Sequence, residues 1–158
     1  MITVSLPDGL ARKLSDEARR LGISLEELVL EKLSEAVDPG EKARIYWEAA
    51  EALLDQAGDE LERGDLRQAS EKIWGAAALA IKAVAWARRG TRLASHGELW
   101  HFVDELAREI GDEGIRDGWR AATAMHVNYY EGWAPEGEVR ACLERVRDLL
   151  GRLRELLS

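Results

Sequence analysis

Between Ile73 and Ala87 the chain carries a single charged side chain, Lys82, although 33% of all its residues are charged. The run is rich in Ala, with Ile, Leu, Val and Trp between, and no Pro interrupts it. It reads as the body of a helix over 66–88, with Asp65 placed to cap its start. A helix with no polar face cannot lie on a surface, because its whole circumference has to be covered. This one must sit at the centre of a bundle or at a subunit interface, and the rest of the chain must enclose it.

The flanking sequence supplies that enclosure. Ala43, Tyr46, Ala50, Leu53, Ala57 and Leu61 form a near-heptad seam over 41–63, and Gly64 ends it. Ser95-His-Gly-Glu98 is a capping box, in which the Ser hydroxyl and the Glu carboxylate satisfy each other's backbone amides. It opens a helix running to Ile110. Gly111-Asp112 stops that helix and starts another, which runs to Glu131. Gly132 to Pro135 break the chain. Val139, Leu143, Val146, Leu149, Leu150, Leu153 and Leu157 then mark a last helix. Five helices on short connections predict an antiparallel bundle over 39–158.

The first 38 residues read differently. Ile2, Val4 and Leu6 alternate with Thr3 and Ser5, the period of a strand with one buried face. Pro7 ends it. A helix over 8–21 follows, then Gly22, then a second helix over 24–37 opened by the capping box Ser24-Leu-Glu-Glu27. Asp38-Pro39-Gly40 marks the boundary. No second strand-like segment occurs in the chain, so a strand here implies pairing with the same segment of another copy about a twofold axis. The expected fold is therefore all-α, an antiparallel bundle of about five helices preceded by a short strand and two helices, in a homodimer or higher homo-oligomer.

Charge narrows the partners. Residues 1–38 hold 5 basic and 8 acidic side chains, and the remainder 17 and 22, for a net charge of −8. Neither part is broadly basic, so any nucleic-acid contact has to use a local patch. The lone Cys142 cannot form an internal disulfide, and no zinc-ligand spacing occurs. No metal or other cofactor is expected. No apolar run is long enough to span a bilayer, and there is no signal peptide, which points to the cytoplasm and away from a membrane partner. Asn128 is the only Asn, and Gln56 and Gln68 are the only Gln. That scarcity of amides suits a high working temperature.

Three blocks, Gly64-Asp-Leu-Arg-Gln-Ala-Ser-Glu-Lys-Ile-Trp-Gly-Ala-Ala-Ala78, Ser95-His-Gly-Glu-Leu-Trp100 and Met125-His-Val-Asn-Tyr-Tyr-Glu131, resemble the PaREP family of archaeal proteins in order and spacing. The resemblance covers about residues 40–158 and speaks to fold more than to activity. The layout is also similar to the wider HEPN superfamily of helical bundles, many of them dimeric and RNA-directed. Active members of that superfamily carry an Arg and, a few residues later, a His, and cleave RNA without a metal. Arg120 and His126 match that spacing, with Ala121 where a polar residue is usual. Ile2-Thr-Val-Ser-Leu-Pro7 and Leu21-Gly-Ile-Ser24 resemble the ribbon-helix-helix family over about residues 1–37. There the outward strand positions, here Thr3 and Ser5, would read DNA bases. Both are short and uncharged in an acidic head, which argues against DNA and for dimerisation.

The resemblance thus implies Arg120 and His126 as catalytic residues. His can move protons near neutrality, and Arg can hold a phosphate. On an uninterrupted helix, however, the two point about 120° apart. Lys72, Lys82, His96, Asn128, Tyr129 and Glu131 are the nucleotide- or phosphate-binding candidates. If Lys72, Lys82, Arg120 and His126 converge, they form a basic pocket in an acidic protein. Lys82 would there bind phosphate or a carboxylate such as Glu131. The bland alternatives are a core His126 packed on its helical face with Trp119 and Tyr130, an Arg120 paired with Asp117 or Glu113, a His96 that helps start a helix, and a Lys82 that reaches the bundle edge. The six Trp read mostly as core by spacing. Three functions follow: an RNA-directed, metal-independent ribonuclease of toxin–antitoxin type; a non-catalytic dimeric module for a nucleotide or a cognate protein; or a DNA-binding regulator using the head.

Overall fold

A computed structural model describes residues 3–158. Its helices are α1 (Asp8–Leu21), α2 (Leu25–Leu33), α3 (Pro39–Glu62), α4 (Leu66–Arg89), α5 (His96–Ile110), α6 (Glu113–Glu131) and α7 (Glu136–Arg154). The chain divides into two compact units, one up to Ala36 and one from Val37 to Ser158.

The expected strand is not there. Residues 3–7 are neither strand nor helix, and no strand occurs among the described residues; Ile2 lies outside them. Alternation alone cannot make a strand, because an extended segment becomes one only by pairing its backbone groups with a neighbour. The all-α part of the expectation stands; the ribbon, and the base-reading role for Thr3 and Ser5 that depended on it, do not. Both residues are exposed in an irregular segment. In the first unit α1 and α2 pack on each other across Gly22, which takes the left-handed φ of 69° that a Gly adopts without strain. Ser24 Oγ accepts from the Glu27 amide at 3.0 Å and caps α2. That helix ends at Leu33, short of the expected Val37.

In the second unit α4 is the hub and packs against α3, α5, α6 and α7. Every residue from Ile73 to Ala85 is buried, so the uniformly apolar run is enclosed as its composition requires. The connections are the short segments 63–65, 90–95, 111–112 and 132–135. Two glycines of α6 set its approach to α7. A Cβ on Gly118 would lie 2.6 Å from Leu149 Cβ, and one on Gly114 would meet the Arg152 guanidinium at 2.3 Å. Arg152 crosses that gap to Asp112, with Nη1 2.6 Å from Oδ1, and so ties the end of α7 to the start of α6.

Candidate functional site

The residues with most chemistry gather where α4, α5 and α6 meet. Trp74 comes from α4, His96 opens α5, and Trp119, His126 and Tyr130 lie on one face of α6. The spacing of those three, seven and then four positions, is the helical repeat that puts them in one line. The His126 ring stacks on Trp74, with centroids 4.5 Å apart and planes 29° apart. His96 meets His126 at 5.1 Å and Trp74 at 5.5 Å, both nearly edge-on. Tyr130 stands edge-on to His126 at 5.5 Å. Behind them Trp119 packs on Trp74 at 5.0 Å and on Trp100 at 5.8 Å.

The cluster grades from dry to wet. Trp119 and Trp74 are buried, His126 and His96 are half-buried, and Trp100 and Tyr130 are 41% and 45% exposed. Burial, with a smaller push from His96, lowers the His126 pKa from 6.5 to about 4. At physiological pH it is a neutral imidazole, an acceptor as well as a donor. The indole N–H groups of Trp74 and Trp119 are buried and find no hydrogen-bond acceptor among the described residues. Each such donor costs roughly 1–3 kcal/mol.

The other named residues are dispersed. α6 is unbroken from Glu113 to Glu131, so Arg120 leaves it about 120° away from His126. Its side chain is 58% exposed and Nη1 lies 3.1 Å from Asp117 Oδ1. Lys72 donates to Gln56 Oε1 at 3.1 Å, on the α3 side. Lys82 is 5% exposed, ten positions along α4 from Lys72, which is about 15 Å of helix. Asn128 is buried and held by the chain itself: Nδ2 donates to Ser70 Oγ at 2.8 Å, and Oδ1 accepts from the Ala134 amide at 2.6 Å. It locks the α6–α7 turn onto α4. Arg67 donates to the carbonyl oxygens of Tyr129 and Tyr130 at 2.8 and 2.7 Å, neutralising the negative end of α6. The Tyr129 ring lies against Tyr130 at 4.9 Å, and Glu131 is exposed. The Ser95–Glu98 capping box forms in full, so His96 combines a helix start with a place in the cluster. Cys142 is buried, its pKa raised to about 11 by burial and Glu138, which leaves an inert thiol.

Trp74 is the member that spacing does not reveal, because its partners come from other helices. Of the six Trp, expected mostly in the core, Trp47, Trp74 and Trp119 are buried, Trp86 is half-buried, and Trp100 and Trp133 are exposed. Among the described residues no group of three or more His, Cys, Asp or Glu is placed to hold a metal ion, and no helix is long and apolar enough to cross a membrane.

A model of the archaeal PaREP1/PaREP8 family matches residues 45–150. Neither the curated proteins nor the solved structures include a match to this chain.

Proposed function

The chain belongs to the archaeal PaREP1/PaREP8 family, and within that frame we propose that its bundle is a non-catalytic binding module that stacks a nucleobase, of a free nucleotide or of single-stranded RNA, against the His96–Tyr130–Trp100 rim of the aromatic cluster. The observation that carries this reading is the graded ring cluster centred on the His126–Trp74 stack. Exposed rings backed by buried, fixed ones form a platform that loses little entropy when a flat ligand joins it.

Catalysis by Arg120 with His126 is the less supported alternative. His126 is packed flat on an indole, and Arg120 is engaged with Asp117 on another side of α6. The two readings separate in one pair of assays. Titration with the four ribonucleoside monophosphates and with short single-stranded RNA, read by tryptophan fluorescence, is expected to give saturable quenching. Tyr130→Ala should weaken it by about tenfold or more, the worth of one stacked base. The absence of saturable quenching by any of these ligands would sink the binding reading. RNA cleavage in EDTA by the wild type, lost in His126→Ala, would move the assignment to a metal-independent ribonuclease.

A further inference from the structure

α6 turns a second line of residues outward, away from the ring cluster. Arg120, Ala124, Val127 and Glu131 follow one another at helical spacing, with Thr123 beside them. The Arg120 side chain is 58% exposed and Val127 40%; Thr123 and Ala124 are half-covered, and Glu131 is exposed. From Ala121 to Tyr130 no residue carries a formal charge, in a chain that is 33% charged. The two residues that bound this stretch have opposite signs, Arg120 at one end and Glu131 at the other.

That order is self-complementary. A twofold axis through the middle of the stretch sets two such helices antiparallel. Ala124 then faces Val127 of the partner subunit, and Arg120 faces Glu131 of the partner subunit, twice over. The small side chains of Thr123 and Ala124 let the helix axes approach closely. A guanidinium has five donors, so the contact of Arg120 with Asp117 leaves others for a second carboxylate. Two copies, each of net charge −8, repel at long range, so an approach that matches opposite signs is favoured over one that does not.

We propose that the Arg120–Glu131 stripe of α6 is a homodimer interface, its occupant a second copy of this chain held antiparallel by the matched charges at its ends. It uses residues of α6 alone, and it stands independently of base binding.

Sedimentation velocity of the full chain across the micromolar range, in low salt, is the test. The wild type is expected to dimerise. Val127→Arg should abolish the dimer. Arg120→Glu and Glu131→Arg should each raise the dissociation constant by about tenfold or more, because each sets like charges together. The double reversal Arg120→Glu/Glu131→Arg should restore the dimer, since it exchanges the two signs and keeps the pairing. Circular dichroism of each variant checks that the bundle is intact. A monomeric wild type, a dimer that none of these variants weakens, or a double reversal no better than the singles would overturn the proposal.

Discussion

An imidazole pressed against an indole is held neutral by its surroundings, and that has a consequence for stability. The unfolded chain protonates His126 near 6.5, whereas the folded ring resists until about 4. Between those values the unfolded state binds more protons, so folding stability is unaffected above the window and falls as pH is lowered through it. The ring is only half-buried, so the expected loss is about 1–2 kcal/mol rather than the full shift. Urea unfolding of the wild type and of His126→Phe, compared from pH 7 down to pH 4, checks this. The difference between the two curves should grow toward acid, with Phe favoured; parallel curves would mean that the folded ring titrates like an exposed one. Spacing alone already places His126 on one face with Trp119 and Tyr130. It cannot show which ring of another helix lies on it, because that contact spans α4 and α6.

At the scale of elements, close packing of helices is decided by single hydrogens. α6 and α7 touch through Gly118, where a Cβ would fall 2.6 Å from Leu149 Cβ. Ala is the better helix former by up to about 1 kcal/mol, but overpacking at a fixed helix contact costs about 1–3 kcal/mol. Gly118→Ala should therefore destabilise the bundle. Gly151→Ala, on α7 with nothing within 4 Å of its Cβ, should instead stabilise it slightly. Chemical denaturation of both variants reads the sign directly, and a stabilising Gly118→Ala would show that the helices can part at no cost. The helices themselves were legible because their signals are local: a capping box at Ser95, Gly at the stops, and a three-to-four residue apolar period. Gly118 carries no such signal, since a Gly inside a helix reads only as a weakness until the neighbouring helix is in place.

For the whole molecule, the second unit encloses α4 with its own helices, α3, α5, α6 and α7. A chain of that size with a continuous core is expected to fold by itself. A truncated chain starting at Val37 should keep the helical circular dichroism and cooperative thermal unfolding of this unit. Loss of cooperativity would mean that the first unit is needed to complete the core. The net charge of −8 acts at this scale too, because it makes copies of the chain repel one another at long range.

What the sequence determined by itself was the helical architecture and the buried position of α4. Caps, stops and apolar periodicity act within one or two turns, and a helix satisfies its own backbone. The strand expected over 2–6 does not form in its described residues 3–6, because a strand is completed only by a partner that alternation does not supply. Tertiary structure alone decided which rings meet. His126 is joined to Trp74 and His96 by the packing of three helices, whereas Arg120, close to it in sequence, is turned away by the pitch of its own helix. Asn128, a nucleotide- or phosphate-binding candidate in the sequence, spends both ends of its amide on Ser70 and Ala134, a role visible only once α4 and the α6–α7 turn are brought together.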